Sequence, residues 1–154
     1  MAKTNRDDIA SDLLKQHAAL QTAFTNDPRF NIEAYAFVCE AVDFTCRKRD
    51  QRTDIQGHEL LDGIIELALE QFGFLAHLVF QHWGITTTDD FGDMVFTLVE
   101  AGLLGRSPRD SKADFANVFD LHQALDERYT ITDEPSSVYD AYLHPHQPHQ
   151  ETAE

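Results

Sequence analysis

The chain has 154 residues, 42% hydrophobic and 25% charged, which is the size and composition of one soluble globular domain and excludes a collagen-like or fully disordered chain. Its 27 acidic and 12 basic residues give a formal net charge of −15, which disfavours a direct grip on nucleic-acid phosphates or docking on anionic lipid. With only two cysteines, a disulfide scaffold is excluded.

The first third of the chain has the apolar spacing of two helices. The first is predicted over about residues 7–25 and is ended by Asp27-Pro28. The second begins at Asn31, a favourable N-cap residue, and Phe30 and Tyr35 are expected to form a hydrophobic staple around it. Four basic residues lie at the end of this helix: Arg47, Lys48, Arg49 and Arg52. Cations at a helix C-terminus interact favourably with the helix dipole, and the alternative is that they form a phosphate-binding patch.

The segment 57–83 carries one polar stripe on an otherwise apolar helix. Its polar or small positions recur every three or four residues: Glu59, Asp62, Glu66, Glu70, Gly73, His77 and Gln81. This spacing predicts a single long helix, or two stacked helices with a bend at Gly73, with neighbours on three sides and an end at Trp83-Gly84. The charges inside the segment argue against a membrane span.

Two further helices are predicted beyond the central segment. Residues 86–90 supply a cap and early acids for the fourth helix. Residues 111–114 resemble a capping box before a fifth, shorter helix or pair of turns over about 115–125. Residues 128–132 favour a β conformation, but no partner strand is found for them.

The pattern as a whole predicts an all-α fold. We expect a compact bundle of about five helices over residues 1–132, with the long helix 57–83 at its centre. From Asp133 onward Pro, Ser, His and Gln dominate, so residues 133–154 are expected to form a flexible, disordered tail that is acidic and rich in His and Pro.

Charge is distributed unevenly along the chain. Residues 53–105 contain nine acidic residues and no Lys or Arg, whereas residues 1–52 contain eight acidic and eight basic residues. The carboxylates of residues 53–105 must therefore be hydrated, form ion pairs with the Lys and Arg side chains of residues 1–52, or bind an external partner.

The acidic stripe is a candidate site for a divalent metal ion. Carboxylates and histidines on facing helices build metal sites in helical bundles, and the candidate ligands here are His58, Asp62, Glu66, Glu70 and His77. The run from His58 to Asp62 resembles a zinc-protease helix, but Asp62 stands where that motif needs a second His. The alternative interpretation is a solvated helix face.

Cys39 and Cys46 are expected to be reduced thiols. They lie seven residues apart in one predicted helix, about 10 Å along its axis, which is too far for a disulfide. Glu40 and Asp43 are expected to raise a thiol pKa, so neither cysteine fits a reactive nucleophile.

No motif indicates an enzyme. The leading hypothesis is a non-enzymatic protein-binding or regulatory module that docks a protein partner or a second copy of itself through its acidic residues: Glu59, Asp89, Asp90 and Asp93. The alternatives are a metal-dependent helical enzyme that uses the stripe, and an acidic nucleic-acid mimic. No targeting segment is visible, so a cytoplasmic location is expected.

Several runs of the chain resemble a family of conserved hypothetical proteins restricted to Planctomycetes and Verrucomicrobia. These runs are residues 59–73, Trp83-Gly84-Ile85, 89–96 and 98–104, accompanied by Tyr35-Ala36-Phe37-Val38 and Asp114-Phe115-Ala116-Asn117. The resemblance covers about residues 30–125 and implies a bacterial, single-domain cytoplasmic protein. The family has no established activity, so the resemblance implies no catalytic residue and no cofactor.

Overall fold

Six α-helices and two 3-10 turns make up the described part of the chain. A computed structural model describes residues 6–49, 55–105 and 112–129, and no strand occurs in these ranges, so the all-α prediction is confirmed. The helices are α1 (Arg6–Asn26), α2 (Ile32–Lys48), α3 (Gly57–Phe72), α4 (Ala76–Trp83), α5 (Thr88–Glu100) and α6 (Leu121–Arg128). The turns are Gly73–Leu75 and Lys112–Phe115.

The central helix of the prediction consists of α3 and α4, stacked across the turn Gly73–Leu75. Gly73 has φ 56° and ψ −137°, a conformation that is open to glycine and unfavourable for other residues, so α3 ends there. The chain becomes α-helical again at Ala76. Of the two predicted alternatives, the structure therefore has the two stacked helices with a bend at Gly73. α3 contacts α2, α4, α5 and α6, which confirms its predicted central position.

An aromatic cluster joins the central helices to α2 and α5. Phe37 of α2 contacts the rings of Phe80 and Trp83, with centroids 6.0 and 5.4 Å apart. Phe80 also meets Phe91 of α5 edge-on at 5.5 Å. Such edge-to-face pairs add to the stabilisation from burial alone, so this cluster fixes α2, α4 and α5 relative to each other.

The helix ends follow the predicted capping signals. The side chain of Asn31 accepts a hydrogen bond from the amide of Glu33 at 2.8 Å, and the rings of Phe30 and Tyr35 lie 6.2 Å apart, edge to face. Gly84 ends α4 in the left-handed conformation, with φ 91°.

The last helix differs from its prediction. Residues 112–115 form a 3-10 turn, and α6 begins only at Leu121, because the Asp120 side chain caps it by accepting from the amide of Gln123. The Thr88 hydroxyl donates to the carbonyl of Phe115 at 2.7 Å and accepts from the amide of Val118 at 3.0 Å. These bonds hold the connecting segment out of a helix. Ser111, residues 130–132 and the predicted tail over 133–154 lie outside the described residues.

Candidate functional site

The acidic stripe of α3 faces the C-terminal end of α2. Glu59 is 8% exposed, and its carboxylate accepts the amide of Gln56 at 2.8 Å, which completes a capping box at the start of α3. The same carboxylate lies 3.1 Å from the guanidinium of Arg49. Glu59 therefore caps its own helix and joins it to α2.

The next two acids of the stripe are also ion-paired. Glu66 pairs with Lys48 of α2, and Asp62 accepts from Arg128 of α6 at 2.9 Å. Lys48, Asp62 and Glu66 border a cleft of about 250 Å³ between α2 and α3, which Thr45 also lines. Glu59 and Glu66 thus pair with cations of residues 1–52, which was one of the three predicted alternatives. Asp62 instead pairs with a cation of the last helix, which was not among them.

The candidate metal ligands do not gather at one point. His77 lies on α4 and contacts the ring of His122 on α6, with centroids 3.9 Å apart, while Asp62 and Glu66 are ion-paired as above. Within residues 6–49, 55–105 and 112–129, no three His, Cys, Asp or Glu side chains are placed to hold a metal ion together. His58 and Glu70 are exposed on the surface of α3.

The acids proposed as a docking surface bind other parts of the same chain. Asp89 accepts from the amide of Asn117 at 2.7 Å, and Asp90 accepts from the amide of Thr86 at 2.8 Å. Asp93 accepts from Arg29 at 3.0 Å, and Lys112 lies 3.5 Å from it. Together with Glu59, these side chains fix loops and helix ends.

Arg29 bridges two of the bundle's acids. Its guanidinium donates to Asp27 at 2.8 Å and to Asp93 at 3.0 Å, and so links the α1–α2 connection to α5. The hydrogen bond from Arg29 lowers the pKa of Asp27 below its ordinary value.

The first half of α1 is a surface that sequence reasoning missed. From Asp8 to Ala18 every residue is exposed, and Ile9, Leu13 and Leu14 are 48%, 60% and 69% exposed. Helix α1 packs against α2 and α5, and its one fully buried residue among those described, Ala23, lies in its second half. We call residues 8–18 the α1 arm.

The apolar spacing of the arm is visible in the sequence, but it does not tell whether the apolar face is buried or exposed. Ile9 and Leu13 have helical spacing with Leu20 and Phe24, as expected for a helix with one apolar face. The same spacing occurs whether that face is covered within the chain or by another molecule. The structure shows that, among the described residues, nothing buries the side chains of the arm.

Both cysteines are reduced and partly buried. Burial, together with the smaller effect of the neighbouring Asp43, raises the pKa of the Cys39 thiol to about 11. The expected direction of the shift is confirmed for Cys39.

One helical stretch in the described residues is long and apolar enough to cross a membrane. It is Gly57–Trp83, with a mean hydropathy of 1.4 in its most apolar window. Its residues Leu61, Ile64 and Ile65 are fully buried against the other helices, as in the core helix of a globular protein. Length and composition alone are therefore weak evidence for a span.

Comparison with family models, curated proteins and solved structures found no match. The family resemblance of the sequence accordingly stays a prediction. What the structure defines is the class of fold, an all-α bundle whose first helix has residues 8–18 exposed.

Proposed function

We propose that this chain is a non-enzymatic protein-binding or regulatory module, and that the α1 arm is its contact surface. The observation that carries the proposal is the exposure of Ile9, Leu13 and Leu14 on a helix segment, residues 8–18, in which no residue is buried. Clustered apolar side chains of this size on a surface are typical of sites that another molecule covers.

The energetics of the arm support the same proposal. An isolated helix of about a dozen residues is marginally stable in water, because most helical stability comes from packing an apolar face. Residues 8–18 gain little from the bundle, since none of them is buried. A partner that covers Ile9 and Leu13 stabilises the arm and buries their apolar surface at the same time.

The acids predicted to form a docking surface have contacts that favour a structural role instead. Asp89, Asp90 and Asp93 already bind groups of the same chain, so recruiting a partner through them requires breaking those contacts. The proposal therefore places docking on the arm and assigns these acids to the stability of the bundle.

Site-specific photo-crosslinking in the native host tests the proposal. A photoreactive amino acid at Leu13 is expected to yield one or a few discrete adducts. The matched control is the same amino acid at Glu127, an exposed polar position on α6, which is expected to yield none. Failure of Leu13 to give any discrete adduct would contradict the proposal.

A further inference from the structure

Two histidines from different helices meet where α4 packs against α6. The imidazole rings of His77 and His122 have centroids 3.9 Å apart, with an angle of 63° between their planes. Solvent reaches both rings, since His77 is only partly buried and the side chain of His122 is 55% exposed. Histidine is the commonest protein ligand of transition metals, so this contact brings together two metal-binding groups that are 45 residues apart in the sequence.

A carboxylate lies beside the same pair of rings. Asp126 follows His122 by one turn of α6, and its Oδ2 atom is 3.1 Å from Nε2 of that histidine. Two atoms that bind one tetrahedral zinc ion at about 2.0–2.1 Å are about 3.3 Å apart, which is close to this separation. Zinc-binding helices also place two ligands of one ion at positions i and i+4. His122 and Asp126 thus have both the distance and the spacing of a chelating pair.

We propose that His77, His122 and Asp126 bind one divalent transition-metal ion, such as Zn²⁺, which links α4 to α6. Two imidazole nitrogens and one carboxylate oxygen supply three of the four ligands of a tetrahedral site, and a water molecule completes it. The proposal goes beyond the protein-binding function of the α1 arm and does not depend on it. Of the metal ligands predicted from the sequence it retains only His77, because the others lie on α3.

One small rearrangement is needed to complete the site. In the described ranges no three such side chains already converge on one point, so the ring of His77 has to turn toward the other two ligands. Two imidazoles that share a tetrahedral ion have centroids about 5 Å apart, which requires the rings of His77 and His122 to separate by about 1 Å. A change of side-chain torsion angles at two solvent-accessible residues achieves this without moving either helix.

The donor set determines which ions the site accepts. Imidazole nitrogen suits Zn²⁺, Ni²⁺ and Cu²⁺, whereas Mg²⁺ and Ca²⁺ prefer sites made of oxygen ligands. The net charge of −15 attracts every cation alike, so the two histidines provide the selectivity.

The ion would fix the last described helix to the rest of the bundle. α6 has only eight residues, and a helix this short depends on contacts with its neighbours. It packs through Leu121, Ala124 and Leu125, and the proposed ion adds a link to α4. Because the ligands from α4 and α6 are together only in the folded chain, binding of the ion stabilises the folded state.

Thermal unfolding of the full chain, first treated with a chelator and then dialysed, tests the site. Excess Zn²⁺ is expected to raise the Tm by several degrees, and excess Mg²⁺ is expected to leave it unchanged. His77→Asn, His122→Asn and Asp126→Asn should each remove most of the zinc-induced shift. His17→Asn on α1 and Glu127→Gln, beside Asp126 on α6, are the matched controls and should retain it.

A stronger ligand at the same place should improve binding. Asp126→His supplies a third imidazole one turn from His122, so half of the full shift in Tm should be reached at about tenfold less Zn²⁺. A role of Asp126 in helix stability alone does not predict this gain. An unchanged zinc requirement contradicts the proposed set of ligands.

Three further results would overturn the proposal. The first is a Tm that Zn²⁺ does not raise. The second is a shift that survives in the ligand variants, as expected if zinc binds only to His144, His146 and His149, which lie outside the described residues. The third is a shift that increases with protein concentration, because the ion would then join two chains instead of two helices.

Discussion

At the scale of single residues, the contact between α2 and α3 depends on the absence of a side chain at Gly63. A Cβ there would overlap the hydroxyl of Thr45, a buried residue whose hydroxyl donates to the carbonyl of Ala41 at 2.7 Å. Since that hydroxyl is held by its own helix, it cannot move aside without losing the bond. The close approach of the two helices also brings Lys48 and Arg49 within reach of the acidic stripe.

Gly63→Ala is therefore expected to destabilise the protein although it lies inside a helix. Overpacking costs roughly 1–3 kcal/mol, more than the roughly 1 kcal/mol that Ala gains over Gly in a helix interior. Urea unfolding measures the difference. Gly105→Ala is the control, because no atom of the described residues, its chain neighbour aside, lies within 4 Å of the added Cβ. A Gly63 variant as stable as the parent would contradict the close contact.

The buried thiol of Cys39 gives a second expectation at this scale. With its pKa raised to about 11, compared with 9.0 for an ordinary thiol, a much smaller fraction is thiolate at pH 8. We expect alkylation of Cys39 in a Cys46→Ser background to be about 100-fold slower than in the denatured chain. Asp43→Asn should speed it only slightly, because burial is the larger cause. A native rate near the denatured rate would show that the thiol is not desolvated.

At the scale of helices, Glu59 has two roles that substitution can separate. Its carboxylate caps α3 through the amide of Gln56 and pairs with Arg49 of α2. Glutamine keeps an oxygen for the cap but loses the charge, whereas alanine loses both interactions.

We expect Glu59→Gln to cost less than about 1 kcal/mol of unfolding free energy, since Arg49 is partly exposed and the ion pair is screened. Glu59→Ala should cost about 1 kcal/mol more, the typical value of a helix cap. Glu66→Gln, at an exposed pair, is the control and should change stability little. Equal losses for the two Glu59 variants would mean that the cap contributes nothing.

The helix scale also shows how far the sequence predicts structure. The caps at Asn31 and Gly84 were predicted because cap geometry depends on a few adjacent residues. The start of α6 was misplaced because Thr88, about thirty residues away, bonds to Phe115 and Val118. A contact between residues so distant leaves no local pattern in the sequence.

At the scale of the whole molecule, repulsion among like charges opposes the folded state. The net charge of −15 is concentrated into a small volume on folding, and the ion pairs at Lys48 and Arg128 are exposed. Screening by salt therefore removes more repulsion than attraction.

We expect the Tm to rise by several degrees between low ionic strength and about 0.5 M NaCl, where the Debye length falls to a few ångströms. Equal concentrations of KCl should have the same effect if ionic strength is the cause. A Tm that falls as salt increases would mean that the ion pairs contribute more to stability than self-repulsion removes.

The candidate site could be predicted from the sequence only in part. The acids Glu59, Asp62 and Glu66 were correctly placed on one helix face, because helical periodicity fixes which residues share a face. Their partners Arg49, Arg128 and Lys48 could not be assigned, since spacing along one helix says nothing about which helix packs beside it. The arm was read as an ordinary amphipathic helix for the same reason.

The sequence by itself determined the helices and their apolar faces, because these depend on periodicity, and it left open whether the central helix is interrupted at Gly73. Only the tertiary structure decided which faces are covered. It set the acids of α3 against cations of α2 and α6, and it left Ile9, Leu13 and Leu14 of α1 exposed. The physical reason is that an apolar or charged face is a local property of a helix, whereas its partner is a property of the packed whole.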